Sequence, residues 1–97
     1  MKIKVLDEAV DDLAAGHRFY EQQASGLGEY FLDSLWSDIQ SLRLYGGIHA
    51  FHHGHHRLLA KRFPFAVYYQ VDPEHIVSVR AVLDCRRNPC EIMRRLG

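Results

Sequence analysis

The spacing of apolar positions changes several times along this chain, and each change marks an element. Residues 2–6 alternate as Lys2, Ile3, Lys4 and Val5, the period of a short strand with one buried face. Asp7 then predicts an N-cap, and Glu8, Asp11 and Asp12 follow where the positive end of a helix dipole favours acids. Val10, Leu13, Ala14, His17, Tyr20 and Ala24 recur at three- and four-residue spacing and predict one apolar stripe on that helix. His17, inside the stripe, is expected to be partly buried and hydrogen-bonded rather than catalytic. Ser25-Gly26-Leu27-Gly28 stops the helix, because Gly26 can take a left-handed conformation and Leu27 can fold back on the last turn. A second helix is predicted over 28–44, with Phe31, Leu35, Ile39 and Leu42 as its buried row and Leu32 and Trp36 widening it. So short a connection implies an antiparallel helical hairpin.

Tyr45-Gly46-Gly47 breaks the second helix, and the pattern then becomes that of strands. Runs 57–62, 65–71 and 76–83 are rich in β-branched and aromatic residues. Asp72-Pro73-Glu74-His75 has Pro at the second position of a β-turn, and Phe63-Pro64 suggests a tight link, so the three strands are expected to form a meander. In the last run Val77, Val79, Ala81 and Leu83 share one face, expected to meet the helices, so that Arg80 looks away. Val67, Tyr69 and Val71 share a face opposite Tyr68, and both of those faces contain apolar groups. The predicted order is β-α-α-β-β-β in a single α+β domain spanning 1–97, a helical hairpin packed on one face of a small, mainly antiparallel sheet.

Composition narrows this little: 47% apolar and 25% charged residues are ordinary for a folded soluble domain, and 97 residues suffice for one core. No apolar run approaches the roughly 20 residues that cross a bilayer, and the N-terminus lacks a signal-peptide pattern, so the expected location is the cytoplasm. There Cys85 and Cys90 would remain thiols, with no second pair to complete a zinc site.

Charge changes the picture more. Residues 1–56 hold 4 Lys/Arg against 8 Asp/Glu and residues 57–97 hold 8 against 4, so a net charge of zero conceals a basic half. Its arginines, Arg57, Arg62, Arg80, Arg86 and Arg87, lie in or beside the strands. Guanidinium groups gathered at a sheet edge can hold polyanions or acidic protein tails. The expectation is that Arg57, Arg62 and Arg87 converge once the chain is folded.

Several of these segments together resemble the RelE/ParE superfamily of toxins from bacterial type II toxin–antitoxin, or plasmid stabilisation, systems. The resemblance is carried by Phe19-Tyr20-Glu21, Gly26-Leu27-Gly28 with Phe31 and Leu35, Arg57-Leu58-Leu59, the run Arg62-Phe63-Pro64-Phe65-Ala66-Val67-Tyr68-Tyr69, and Val79-Arg80-Ala81-Val82-Leu83 leading to Arg86-Arg87-Asn88-Pro89. It implies a protein that arrests growth when free and is neutralised by a cognate antitoxin, with which it forms a hetero-oligomer. The implied target is DNA gyrase for a ParE-like member, or messenger RNA on the ribosome for a RelE-like endonuclease. An inactive relative kept as a binding module is a third reading.

RNA cleavage needs cations to hold the phosphate and a group to move a proton from the 2′-hydroxyl. Arg57, Arg62 and Arg87 are the catalytic candidates on the nuclease reading, whereas Arg57, Arg62, Tyr68, Arg80, Arg86 and Arg87 are the candidates for binding antitoxin or target. Nuclease members commonly carry a Tyr or His near the C-terminus, but no such residue follows His75, and Asp84 stands where relatives often show His. A carboxylate of ordinary pKa is a weak base near neutrality. This departure favours the ParE-like reading.

Five of the seven histidines fall in His49-Ala50-Phe51-His52-His53-Gly54-His55-His56. No acid or Cys in that stretch completes a metal site, so the expectation is a polar loop or edge strand with no metal and no cofactor. Cys85 and Cys90 are read as incidental thiols.

Overall fold

A computed structural model describes residues 1–97. Strand β1 (Lys2–Val5) leads into helix α1 (Asp7–Gln23), followed by α2 (Leu27–Gln40) and a short α3 (Leu42–Tyr45). Four strands follow, β2 (Phe51–His52), β3 (His55–Leu59), β4 (Phe65–Val71) and β5 (Ile76–Asp84), and the chain ends in α4 (Pro89–Leu96). The sheet order is β1-β5-β4-β3-β2; β1 runs parallel to β5 and every other pair is antiparallel. This is the α+β arrangement the pattern predicts, with β2, α3 and α4 added. No helix is long and apolar enough to cross a membrane.

The hairpin of α1 and α2 depends on close approach. Gly26 has φ +86°, and the Glu21 carboxylate accepts the N–H groups of Gly26 (3.0 Å) and Gly28 (2.9 Å), fixing the turn. A Cβ at Gly28 would lie 2.7 Å from the His17 carbonyl oxygen, so only glycine lets the helices meet there. Phe31, Leu35, Ile39 and Leu42 are fully buried, as the second stripe predicts.

The first stripe is rotated from its prediction. Ala9, Gly16 and Tyr20 are the buried residues of α1, while Val10 is half exposed and Ala14 and Ala24 are exposed. The cause is the ring of Phe31, which occupies the space over Gly16 and turns that smallest face inward. Asp7 is the first helical residue rather than the N-cap; Leu6 holds that position and supplies no side-chain cap. Trp36 lies 51% exposed instead of widening the core. The second helix ends at Gln40, and Ser41, whose hydroxyl donates to the Asp38 carbonyl, separates it from α3.

In β5 the predicted alternation fails midway. Tyr68 pairs with Ala81 and Tyr69 with Val79, which leaves Arg80 as the inserted residue of a β-bulge. A bulge shifts the side-chain phase by one. Val77, Val79 and Val82 therefore join the core beneath α1 and α2, whereas Ala81 and Leu83 join a second cluster on the opposite face. That second cluster consists of Ala66, Tyr68, Ala81, Leu83, Ile92 and Leu96, so α4 covers the sheet's other side. With both faces covered, Phe65 through Tyr69 are all buried, which explains why neither face of β4 reads as polar.

Candidate functional site

Arg86 and Arg87 follow the C-terminal end of β5, and the charge of Arg57 reaches this end from β3. Arg57 on β3 lies directly opposite Tyr68 on β4, so the two side chains share the face that α4 partly covers. Arg57 is half-buried and Tyr68 only 2% exposed. The Arg57 charge reaches Cys85, where it opposes the burial that pushes this thiol up. Both cysteines are free and exposed, and at Cys85 burial outweighs the Arg57 charge, so the thiol form is favoured.

On the opposite side, Arg86 and Arg87 line a hollow of about 310 Å³ together with Asp12, Ala15, Gly16 and Phe19 of α1 and Phe65, Val82 and Asp84 of the sheet. Arg86 is not free within it. Its Nε donates to Asp84 Oδ1 (2.9 Å) and its Nη2 to Oδ2 (2.7 Å), while its backbone N–H also donates to Oδ1 (2.8 Å). These hydrogen bonds, assisted by the charges of Arg86 and Arg87, hold the Asp84 carboxyl below its ordinary 3.8. A carboxylate so stabilised is a poorer base than the free side chain.

A lowered folded-state pKa contributes stability above the unfolded carboxylate range and loses it as pH falls through the folded value. Asp84 is therefore expected to titrate below 3.8 by carboxyl-carbon NMR. Arg86→Ala should return it upward, and an unmoved titration would mean that the bidentate pair does not form in solution.

Arg62 lies outside β3, in the exposed turn over residues 60–64, because the strand ends at Leu59. Buried Asp38 of α2 accepts the Lys61 N–H (3.2 Å), and the Pro64 carbonyl accepts the Cys85 N–H (2.8 Å). Arg57 acts on Cys85 from β3, Arg87 lines the hollow beside Asp84, and Arg62 lies in the turn that leads to Pro64. Arg80 sits earlier on β5, half-buried in the bulge, and its Nε has no hydrogen-bond partner.

The histidines build the other end of the sheet. His53 (φ +56°) and Gly54 (φ +78°) form the two-residue turn of the β2–β3 hairpin, a geometry matched to strand twist. The Tyr69 hydroxyl accepts the Gly47 N–H (3.0 Å) and hydrogen-bonds His49 Nδ1, while the His56 ring stacks on the Tyr69 ring at 5.0 Å. His55 Nδ1 donates to the His53 carbonyl (2.9 Å) and His56 Nδ1 to the His49 carbonyl (2.6 Å), so both rings pin the hairpin's own backbone. Burial, aided by His56, pushes the His49 imidazole pKa down. No three His, Cys, Asp or Glu side chains stand close enough to hold one metal ion. His17 faces Glu29 at 3.6 Å on the helical hairpin.

Two residues that hold the site together escape pattern reading. Asp12 accepts two hydrogen bonds from Arg95, 2.7 Å to Nη1 and 2.9 Å to Nη2, and one from the Val82 N–H (3.0 Å). It thereby ties α1, β5 and α4 together. The helix that carries Arg95 has a local signal in Asn88-Pro89: the Asn88 side chain accepts the Cys90 N–H (2.8 Å), and Pro89 fills the first helical position.

No protein-family model matches the chain, and no curated protein matches it. Among solved structures, a chain of the "Chromosomal ParDE TA system from P. aeruginosa" superposes with a TM-score of 0.69 over 84% of this chain and 92% of that one. At 18% identity the likeness is one of architecture. This chain therefore shares its fold with a chain of that ParDE system.

Proposed function

We propose that this chain is the toxin of a type II toxin–antitoxin module and that it acts by protein binding, in the ParE-like manner on DNA gyrase. Support for a toxin comes from the fold shared with a chain of a ParDE system. The observation that favours binding over RNA cleavage is the state of Asp84, the acid that ends β5 beside Arg86 and Arg87. Its carboxylate is chelated by Arg86 and its pKa is lowered. His75, the last Tyr or His in the chain, precedes β5 and so lies about 30 Å from Asp84 at the rise of a strand. Tyr68 beside Arg57 is buried. Tyr20, which meets Arg86, is only 9% exposed and packs among Phe31, Phe63 and Phe65, and Asp12 is held by Arg95, so the arginines stand without a free group for proton transfer.

On this reading Arg57, Arg62, Tyr68, Arg80, Arg86 and Arg87 recognise an acidic, partly apolar antitoxin segment or the target. Arg57, Arg62 and Arg87 have no carboxylate partner in the fold and are the strongest candidates, since an unpaired guanidinium can form a bidentate pair with an incoming carboxylate. Expression of the chain alone in a bacterium is expected to arrest growth with a DNA-damage response and intact messenger RNA, and co-expression of the protein encoded beside it should relieve the arrest. In vitro the chain should inhibit supercoiling by purified gyrase. Rapid codon-linked cleavage of transcripts on ribosomes would overturn the ParE-like assignment in favour of a nuclease, with Arg57→Ala/Arg87→Ala testing those residues. Unimpaired growth would identify an inactive relative kept as a binding module.

A further inference from the structure

The outer side of the helical hairpin carries apolar surface that no other part of the chain covers. Val10 and Trp36 are half exposed, and between the helices lies a hollow of about 270 Å³ lined by Leu13, Glu29, Leu32, Asp33 and Trp36. Charge on these helices is one-sided. The α2 sequence contains Glu29, Asp33 and Asp38 but no Lys or Arg, and α1 sets five acids against Arg18 alone.

Several of those acids are engaged within the fold. Asp38 holds the Lys61 N–H, Glu21 caps the hairpin turn, and Glu8 and Asp12 face Arg95. Asp7, Asp11 and Asp33 have no ion pair, and Glu29 has only His17. A tryptophan beside a shallow apolar groove is the anchor type that dominates interface energetics, and the carboxylates around it select the sign of the occupant. An amphipathic helix with an aliphatic stripe for the groove and Lys or Arg along its flanks satisfies both.

We propose that the outer groove of the α1–α2 hairpin, centred on Trp36, docks a basic amphipathic helix of a partner protein. The groove lies on the helices, away from the arginines around Asp84, so it needs neither toxicity nor gyrase binding to operate.

Trp36 is the only tryptophan in the chain and reports directly on the groove. The probe is a synthetic Leu/Lys amphipathic helix about five turns long, with its Leu/Glu counterpart as comparison. Titrating the full chain with the Leu/Lys helix should shift Trp36 emission to the blue and saturate, while the Leu/Glu helix should bind at least roughly tenfold more weakly. By calorimetry, Trp36→Ala and Glu29→Lys/Asp33→Lys should each weaken binding by roughly tenfold or more. The charge-matched control Glu74→Lys/Glu91→Lys, at exposed sites on the β4–β5 turn and on α4, should leave it unchanged. All these positions are exposed, so circular dichroism should be unaltered. An unshifted emission, or an equal loss in the control, would overturn the proposal. So would sedimentation showing a dimer of this chain that Trp36→Ala dissociates, because a second copy would then be the occupant.

Discussion

Replacing Phe31 by Ala is expected to destabilise the fold by about 3–5 kcal/mol, the usual cost of truncating a fully buried phenylalanine. The ring packs against Tyr20 (5.2 Å between centroids), Phe63 (5.1 Å) and Phe65 (4.9 Å), so its removal opens a cavity where two helices, the β3–β4 turn and β4 meet. A domain of this size holds only about 5–15 kcal/mol in total. Thermal unfolding should move down by about 12–40 °C at roughly 4–8 °C per kcal/mol. Gly16 supplies an internal check. A Cβ there would lie 2.5 Å from the Phe31 ring, so Gly16→Ala alone should also destabilise. In the Phe31→Ala background the clash disappears, and the alanine should recover up to about 1 kcal/mol through helix propensity. Such non-additivity marks direct contact. A loss below about 1 kcal/mol for Phe31→Ala would mean that the ring is not in the core. Phe63, which meets this ring, follows Arg62 directly, so the same variant should loosen the turn that presents that arginine.

The parts of the fold that are legible in the sequence are those in which local pattern and packing agree. Phe31, Leu35, Ile39 and Leu42 follow a helical period and are all buried, because that face packs into the core shared by α1, α2 and the sheet. Asp72 to His75 forms the turn its Pro73 signals, with Asp72 Oδ1 accepting the N–H groups of Glu74 (2.9 Å) and Ile76 (3.0 Å). The misread parts are set by tertiary contacts. A period analysis gives Gly16 no hydrophobic weight, yet the Phe31 ring makes it the inward face of α1. Trp36 has the right spacing for the core and is left outside because the helical hairpin is covered on one side only. The bulge at Arg80 reverses the faces of β5 without any glycine or proline to announce it.

The candidate site is legible in residue type more than in geometry. An arginine-rich second half is visible in the sequence, and it places Arg57 on β3, Arg62 in the following turn and Arg87 just after β5. Their separation onto different sides follows from strand alternation at Arg57, a turn at Arg62 and a hollow beside α1 at Arg87. That Arg86 is neutralised by Asp84 depends on rotamers, which residue spacing does not encode. The histidine stretch reads as a polar loop or edge, and it is indeed an edge hairpin. Its imidazoles serve backbone carbonyls and Tyr69, a use that follows from the turn conformation of His53 and Gly54.

Asp12→Ala is expected to have the second-largest effect, about 2–4 kcal/mol, concentrated at the C-terminal helix. Asp12 is nearly buried (9% of its side chain exposed), and its loss removes the acceptor of both Arg95 hydrogen bonds and of the Val82 N–H. Arg95 is 28% exposed and can turn partly to water, which keeps the cost near the lower part of that range. Val82 cannot turn, since its N–H belongs to a buried strand. Removing the charge from the other end is thus expected to be milder: Arg95→Ala leaves the Val82 N–H satisfied. The double variant should cost less than the sum of the singles by about 1–3 kcal/mol, the coupling of a direct pair. Hydrogen exchange then locates the effect. With the tie gone, α4 is held by Ile92 and Leu96 on Tyr68 and Leu83 and by the looser Arg95–Glu8 pair at 3.8 Å, so amides from Ile92 to Leu96 should exchange faster than those of β4. Equal acceleration throughout the chain would mean that Asp12 stabilises the core generally rather than clasping this helix. Selective loss at α4 would establish that one carboxylate on α1 determines how firmly the Tyr68 face beside Arg57 is covered.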